Sequence, residues 1–599
     1  MYADVLVPGV WWHSLTYKIS APAKIGSRVL VPMGSRDSKR LGFLSAIKEN
    51  IENKIDYEVK EVIEILDDVP LLGQELWSLS EWISRQYLCS QGEILKLMCP
   101  TPIIEGSKVN DIPPLVFNPP KEGYSEYCFY EVYDNERYER YREIIGEGKS
   151  GLIFFPEESV ARTFWNDLPE DIKKQGLLWP SGGGKKAFEA WLKARRGEVS
   201  FLVGSVGLLF APLTPIKFIV VEEDASFSYN LARYPNLSLR HVAAKRAQMW
   251  KAKLILGGRL PSSRLYLLKK PKLSKNVKEQ IRFVNIKTAN KIIIPGISQG
   301  LPISSSLLKS SLEVVNRGEV AMWILDRKGY AGEISCEECG WTFVCSHCGS
   351  ICRISENIVI CPFCGKRYEM PTICPSCISR LLTGKRPGLE ALHGIAQALA
   401  GDVTSVYMWY KEKSGKKRKT AMLQEIGKGG LVVGSRLALS LCDDCNVGLI
   451  GWIDADAETW RPNYNARFMA FSMMWESRFR GINPKSREVI IQSRRPYHGW
   501  QRGLKDGWNF FWEDELKERY ELNFPPFTLL IEISAPVKVI EEIFLLLDKS
   551  GFAVYKPIAD KGIIWVKVKD VRVLRELLEP YFHISRSKIG FPKIRIWRD

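Results

Sequence analysis

Phe218-Ile219-Val220-Val221-Glu222-Glu223-Asp224 is an apolar run that ends in three carboxylates. A strand buried on both faces reads this way, because helices cover a parallel sheet on either side and leave no polar alternation. The acids then stand at the carboxyl end of the strand, the edge where open α/β sheets bind ligands. Working outward, Gly151-Leu152-Ile153-Phe154-Phe155, Val199-Ser200-Phe201-Leu202-Val203 and Leu254-Ile255-Leu256 repeat the pattern, separated by segments long enough for helices. A second series follows at 320–325, 430–433 and 447–450. Two α/β lobes with parallel sheets are predicted. The most apolar stretch, 201–221, is interrupted by Pro212, Pro215 and Lys217, so it predicts two strands and a loop rather than a membrane span.

The chain has 599 residues, too many for one core; at roughly 150 residues per domain, about four units are expected. Hydrophobic residues at 45% and charged residues at 26% fit a soluble globular protein and exclude general disorder. Lys plus Arg number 85 against 68 Asp plus Glu, and this excess of +17 points to a polyanionic partner such as nucleic acid. Met1-Tyr2-Ala3-Asp4-Val5 has neither the basic region nor the apolar run of a signal peptide, so a cytoplasmic location is expected. Residues 1–99 read as a small β-rich domain, with strands at 29–34 and 59–66 and a closing helix over 76–97. Six prolines within 100–120 mark a linker. Basic clusters at 269–272 and 416–419 are expected on loops, and an α+β unit closes the chain, with Pro525-Pro526-Phe527 leading into a strand.

Nine of the fourteen cysteines fall within 336–377. Eight form four C-x2-C pairs: Cys336 and Cys339, Cys345 and Cys348, Cys361 and Cys364, Cys374 and Cys377. Eight thiolates are the ligand count of two tetrahedral zinc sites, and a glycine follows three of the pairs where a tight knuckle needs positive φ. A binuclear zinc module with four cysteines per ion is predicted. Spacing leaves the pairing open; we favour a nested arrangement, the outer pairs sharing one ion and the inner pairs the other. Cys352 is off spacing and reads as an ordinary small residue, and Cys442 with Cys445 lacks a second pair nearby.

Two lobes in a basic protein raise the expectation of an ATP-driven motor, whose phosphates sit on the backbone of a G-x-x-x-x-G-K-[ST] loop. The chain contains no such loop. Gly182-Gly183-Gly184-Lys185-Lys186 lacks the hydroxyl residue after its lysine and reads as a loop before a helix over 187–195.

The chain resembles the PriA family of bacterial replication-restart helicases from about Ala3 to Asp599. The resemblance is carried by Asp326-Arg327-Lys328-Gly329-Tyr330-Ala331 running into the cysteine block, by Tyr87-Leu88-Cys89 with Gly92-Glu93-Ile94-Leu95, and by Leu522-Asn523-Phe524-Pro525-Pro526-Phe527. It implies an α/β multidomain protein: a β-rich 3′-end DNA-binding domain (1–104), a linker (105–127), RecA-like P-loop-type lobes (128–290, then 291–335 with 378–500), the zinc module (336–377) and a C-terminal α+β domain (501–599). The family's DNA pocket falls on Ser14-Leu15-Thr16-Tyr17, with Gly34 and Lys60, and Thr16 replaces its acid. The family's aromatic-rich loop corresponds to Phe227, Tyr229, Arg233 and Tyr234, with Arg240 on the next helix.

Other positions depart from the family. About thirty residues separate Cys99 from the first lobe, too few for the family's winged-helix domain. Where the family has its glycine-rich loop, this chain reads Phe129-Tyr130-Glu131-Val132-Tyr133-Asp134-Asn135-Glu136-Arg137-Tyr138, with Arg137 in place of the lysine. The acidic motif becomes Glu222-Glu223-Asp224-Ala225, and of the paired arginines only Arg478 keeps its place. Glu222, Glu223, Arg137 and Arg478 are therefore vestigial catalytic and nucleotide-binding positions, and productive ATP/Mg²⁺ binding is not expected. The implied function is to bind forked and single-stranded DNA at stalled forks, in the bacterial nucleoid, and to recruit the replicative helicase and its loader beside single-stranded DNA-binding protein, without unwinding. The alternatives are an active 3′-to-5′ helicase with a divergent nucleotide site, and a zinc protein repurposed toward RNA or another protein.

Overall fold

The computed structural model describes residues 1–599 apart from 35, 51–57, 110–111, 232, 273–280, 293–300, 327–330, 348, 350, 356–357, 362–364, 411–415, 460–462 and 557–561. The chain divides into two units, 1–131 with 135–271 and 519–599, and 132–134 with 272–518.

In the first unit, β1 (Tyr2–Leu6), β2 (Leu15–Lys18), β3 (Arg28–Met33), β4 (Ser38–Lys48) and β5 (Glu64–Ile65) form an antiparallel sheet in the order β2-β1-β4-β3-β5. Only Glu64–Ile65 of the expected strand at 59–66 pairs as a strand; before it, Lys18 and Glu61 meet in an isolated bridge. The expected helix over 76–97 is two helices, Gln74–Gln86 and Gln91–Leu97, broken where Leu88 takes a left-handed φ of 51°. Twenty residues then separate the short helix Thr101–Ile104 from Ser125, which leaves no room for a further domain.

The first lobe is the all-parallel sheet β6-β11-β10-β7-β9-β8, built from β6 (Ser125–Tyr130), β7 (Gly151–Phe154), β8 (Gly176–Leu178), β9 (Phe201–Gly204), β10 (Phe218–Val221) and β11 (Lys253–Gly258). All four residues of β7, β9 and β10 are buried, as their unbroken apolar runs require. Buried arginines tie the N-terminal sheet, the linker and this lobe together. Arg28 pairs with Asp67 at 2.7 Å and donates to the Ile103 carbonyl, Arg246 pairs with Glu75 at 2.8 Å, and Arg195 donates to the Leu71 carbonyl at 2.8 Å. In the same unit β25 (Leu529–Ser534), β26 (Val554–Tyr555), β27 (Ile563–Val568) and β28 (Lys593–Trp597) form an antiparallel sheet, which docks through Trp12 stacked on Phe582 at 4.0 Å.

The second unit carries the parallel sheet β12-β24-β23-β15-β22-β21, made of β12 (Ile281–Asn285), β15 (Val320–Ile324), β21 (Val406–Trp409), β22 (Gly430–Gly434), β23 (Val447–Trp452) and β24 (Glu488–Ser493). Two short strands, β13 (Lys291–Ile292) and β14 (Ile303–Ser304), pair beside it. The cysteine block follows β15 as an antiparallel sheet β19-β18-β17-β16-β20, with β16 (Ala331–Cys336), β17 (Arg353–Ser355), β18 (Ile358–Ile360), β19 (Arg367–Glu369) and β20 (Leu382–Pro387). Of the basic clusters expected on loops, 416–419 instead opens the helix Lys416–Ile426, whereas at 269–272 only Lys269 is helical, ending Ser263–Lys269. Among the described residues no helix is long and apolar enough to cross a membrane.

Candidate functional site

The three carboxylates that follow β10 are each held by side chains of the first unit. The Arg137 side chain is fully buried, and its guanidinium reaches Glu222 Oε1 at 2.9 Å through Nε and at 2.7 Å through Nη2. Nη2 also lies 3.2 Å from Glu223, and Nη1 donates to the Glu131 carbonyl. Tyr141, one turn further along the helix Asp134–Gly146, donates its hydroxyl to Glu222 Oε2 at 2.7 Å. Arg259, just past β11, closes on Glu223 at 2.5 Å with its guanidinium and at 3.3 Å with its backbone N–H. The Tyr130 hydroxyl donates to Asp224 at 2.6 Å, with Arg240 3.5 Å away. Burial raises the pKa of Asp224, and it drives the phenols of Tyr130 and Tyr141 well above their ordinary range, so both stay protonated donors.

The strand order brings these groups together. β11 lies between β6 and β10, so the loop after β6 and the acids after β10 face each other across the end of one intervening strand. Gly257 permits the contact: a Cβ there would lie 2.2 Å from the Tyr141 hydroxyl. Lys185 of the triple-glycine segment opens the helix Lys185–Arg196, as expected of a loop before a helix. In the second unit, Arg478 is buried, donates to the Pro484 carbonyl and lies 5.5 Å from the Phe479 ring. Burial pulls its pKa down to about 10. The reading from sequence did not single out Arg480, which is ion-paired with Asp443 at 2.5 Å and Glu476 at 2.6 Å.

The cysteine block folds pair upon pair. The sulfurs of Cys336, Cys339, Cys374 and Cys377 all lie within 4.8 Å of one another, with Cys336 to Cys377 at 3.5 Å and Cys339 to Cys374 at 3.6 Å. Zinc–sulfur bonds of about 2.3 Å in a tetrahedron set the sulfurs about 3.8 Å apart, so this donor set fits zinc. Each knuckle is closed by a backbone bond back to its first cysteine, from Gly340 at 3.0 Å, Gly349 at 2.9 Å, Gly365 at 3.1 Å and Ile378 at 2.9 Å. The three glycines have φ of 72° to 74°, and Ile378 holds φ 63° without that freedom. Cys348 and Cys364 lie outside the described residues, as do Arg327 to Tyr330 of the preceding motif. Among the described residues Cys345 and Cys361 converge with Cys352, which corrects its reading as an ordinary small residue: all three thiols are buried and within 4.8 Å of one another. The Tyr368 hydroxyl lies 3.0 Å from Cys345 Sγ. Cys442 and Cys445 are both buried and join no metal-ligating group among the described residues.

The DNA-contact candidates divide by environment. Lys60 Nζ donates to the Gly34 carbonyl at 2.9 Å, which puts both at one end of the N-terminal sheet. Tyr17 is 5% exposed with its hydroxyl 3.3 Å from the Pro32 carbonyl, so its ring is core and not a stacking face. Asp4, missed from sequence, stands directly across from Thr16 and accepts its hydroxyl at 2.9 Å. Tyr229 is likewise buried, bonded to the Glu222 and Phe154 carbonyls. The Tyr234 hydroxyl accepts from the Ser90 N–H at 3.4 Å, and Arg240 is ion-paired to Asp224 and Asp599. Phe227 is half-buried, and Arg233 is exposed.

A family model of the PriA 3′DNA-binding domain (3′BD) matches residues 4–100. Proteins named replication restart protein PriA are similar over most of the chain. That of Borreliella burgdorferi is 23% identical over 546 residues, covering 83% of this chain and 80% of its own length. That of Treponema pallidum is 22% identical, covering 86% and 84%, and that of Rickettsia conorii 24%, covering 90% and 88%. Among solved structures, S. cerevisiae Dbp5 bound to RNA and ADP BeF3 overlaps 72% of this chain and 95% of its own, at 10% identity and a TM-score of 0.35. The DUF1998 helicase MrfA bound to DNA overlaps 74% and 58%, at 11% identity and a TM-score of 0.34. With residues 4–100 matching the PriA 3′DNA-binding domain, two parallel α/β lobes and a cysteine-rich insert after β15 of the second lobe, the chain is similar over most of its length to the replication restart proteins named PriA.

Proposed function

We propose that this chain acts at stalled or branched replication forks as a DNA-binding scaffold that recruits the replicative helicase and its loader without ATP-driven unwinding. The observation that carries the reading is the closed network of Arg137, Glu222, Glu223, Arg259 and Tyr141. A nucleotide triphosphate needs backbone amides free to approach its phosphates and a cation left over to neutralise them. Here the cation in the lysine's place is already ion-paired with the carboxylates that would serve Mg²⁺. Freeing Arg137 means leaving Glu222 buried and unpaired, a loss of about 3–5 kcal/mol before any phosphate contact forms.

In this reading residues 1–104 receive the DNA 3′ end near Gly34 and Lys60, and the exposed Arg233 beside Phe227 contacts the DNA backbone. The lobes serve as a frame, with the first ending near 271 rather than at the expected 290, because Ile281–Asn285 pairs with β24 of the second lobe. Two zinc ions hold the 336–377 module, one on Cys336, Cys339, Cys374 and Cys377 and one on the inner pairs. Zinc supplies cross-links there, giving short hairpins folding free energy that their small core lacks. Residues 519–599 form the closing domain, 501 to 518 of the expected range lying in the second unit, and single-stranded DNA-binding protein is a neighbour at the fork.

Calorimetric titration of the full chain with ATP and Mg²⁺, paired with phosphate release on forked DNA, tests the reading. The expected result is no binding heat at sub-millimolar nucleotide and no release above blank, while the same sample binds the fork. Micromolar ATP affinity, or hydrolysis stimulated by the fork, overturns it.

A further inference from the structure

The segment that leaves β24 in the second unit interleaves cations with aromatic rings. Residues 494–505 carry three arginines, one lysine and no carboxylate. Arg494 is held by Asp454 at 2.9 Å, whereas Arg495, Arg502 and Lys505 are exposed. Tyr497 is 46% exposed although it holds a left-handed φ of 65°, a conformation that bulky side chains rarely adopt. Its ring rests on Phe283 of β12, the edge strand of the sheet, with centroids 4.4 Å apart, and Lys505 Nζ lies 4.7 Å from the Tyr497 centroid. The Arg502 guanidinium lies 4.4 Å from the centroid of the Phe510 ring, which is 36% exposed. Arg502 and Lys505 are three residues apart on the short helix Arg502–Asp506 and so stand side by side. Two pairs of ring and cation therefore share one surface at the edge of the second lobe's sheet.

Burial does not account for this surface, since half-exposed rings add little to a core, and like charges gathered within 494–505 repel one another. A polyanion with flat faces answers both features. We propose that this surface binds an unpaired nucleic-acid strand, with bases stacking on Tyr497, Phe510 and the guanidinium plane of Arg502, and with phosphates meeting Arg495 and Lys505. Every base has a π-face, so the contact is sequence-tolerant. A cation held over a ring adds charge to the platform without covering all of it. Arg502 also pairs with Asp506 at 3.2 Å, but both side chains are solvent-accessible, so exchanging that carboxylate for a phosphate costs little. An acidic peptide would meet the cations alone and has no use for the rings. The inference rests on the nucleic-acid reading proposed above, whose contacts lie in the first unit, and adds a separate site in the second.

The test uses the full chain with fluorescein-labelled oligo(dT), followed by anisotropy across a salt series, and with oligo(dT) carrying iododeoxyuridine, photocrosslinked and mapped by mass spectrometry. Crosslinks are expected at Tyr497 or Phe510. Tyr497→Asn suits the positive φ and removes the ring, and Phe510→Leu keeps apolar bulk without a flat face; each is expected to weaken binding by about 5-fold or more, the effect of one stacked base. Tyr497→Phe keeps the ring and is expected to bind as the parent does. Lys505→Gln is expected to reduce the slope of log affinity against log salt by about 0.7, one phosphate contact on a single strand. Crosslinks confined to the first unit, with Tyr497→Asn and Phe510→Leu binding as the parent does, overturn this inference and leave the proposed function standing. If labelled polyglutamate binds as tightly as oligo(dT) and neither responds to Tyr497→Asn, the surface is a general anion site and the inference fails. A parent chain that binds no DNA overturns the proposed function itself, and this inference with it.

Discussion

Arg137 and Glu222 are joined side to side at 2.7 Å, both essentially without solvent exposure, although 85 residues separate them along the chain. On the proposed reading, the pair occupies the place where a motor of this architecture would hold phosphate and metal. Lysine to arginine is no neutral exchange there: a guanidinium offers a planar fork of donors, and this one divides them among Glu222, Glu223 and the Glu131 carbonyl. On the proposed reading, the loss of the glycine loop and the filling of its site are one structural event.

Arg137→Ala is expected to destabilise the first lobe by about 3–5 kcal/mol, because Glu222 is left buried without its counter-charge, facing the neutral Tyr141 hydroxyl. Pairing it with Glu222→Gln should recover a large part of that loss, since the neutral amide needs no counter-charge. Hydrogen exchange of β7 and β10 is the measurement, because a multidomain chain has no single unfolding free energy. Protection falling in Arg137→Ala and returning in the double variant supports the pair as the keystone of the site; unchanged protection in Arg137→Ala refutes it.

A pH dependence follows from His13. It stacks on His583 at 4.4 Å, and burial, aided by the neighbouring imidazole, lowers its pKa from 6.5 to about 4. The folded state therefore binds fewer protons than the unfolded state between those values, and stability rises with pH across the window. Acidification from pH 7 should progressively loosen the docking of the β1–β2 loop on Phe582 and His583. Phenylalanine keeps a ring against His583 and cannot take a proton. His13→Phe should flatten the thermal stability profile between about pH 4 and 6.5; an unchanged slope would show that other groups govern it.

Strands were legible where burial on both faces forces an unbroken apolar run, as in β7, β9 and β10. The alternating segment at 59–66 misled, because it lies at the edge of its sheet and pairs with β3 only through Glu64 and Ile65. The break between the helices at 74–97 was invisible because Leu88, an apolar residue with no turn signature, is held at positive φ by burial. At the nucleotide position the sequence showed that glycines and lysine were replaced, but not that the replacements bond to the acids, since that contact depends on strand order. Cys352 escaped a reading based on ligand spacing. Strand pairing would have found it, since 352 and 361 lie one step beyond the paired residues Arg353 and Ile360.

Tyr368 extends the inner thiol cluster outward. Its hydroxyl lies 3.0 Å from Cys345 Sγ and accepts the Ser346 N–H at 3.0 Å. Such a partner orients a ligating thiolate and disperses part of its charge, and removing one typically costs about 10-fold or more in metal affinity. Tyr368→Phe should speed zinc release from the inner site to a chelating dye by about 10-fold and leave the outer site unchanged. Equal acceleration at both sites would point to general loosening of the module.

Arg233 gives the sharpest test of the DNA surface, because several other aromatic and basic candidates of its loop are engaged inside the protein. Tyr229 is buried, the Tyr234 hydroxyl meets Ser90, and Arg240 is held by Asp224 and Asp599, whereas Arg233 is exposed. An exposed guanidinium that meets a phosphate releases a counterion, so its contribution appears in the salt dependence of binding rather than in base preference. Arg233→Ala should weaken forked-DNA binding at low salt uniformly across sequences. It should also reduce the slope of log affinity against log salt by about 0.7 to 0.9, the value for one phosphate contact on single- or double-stranded DNA. Tyr229→Phe serves as the contrast: it removes hydroxyl bonds to the Glu222 and Phe154 carbonyls and should lower stability without altering that slope. If Arg233→Ala leaves the slope unchanged while Tyr229→Phe shifts it, the DNA path does not run along this loop, and the net charge of +17 must meet DNA on another face.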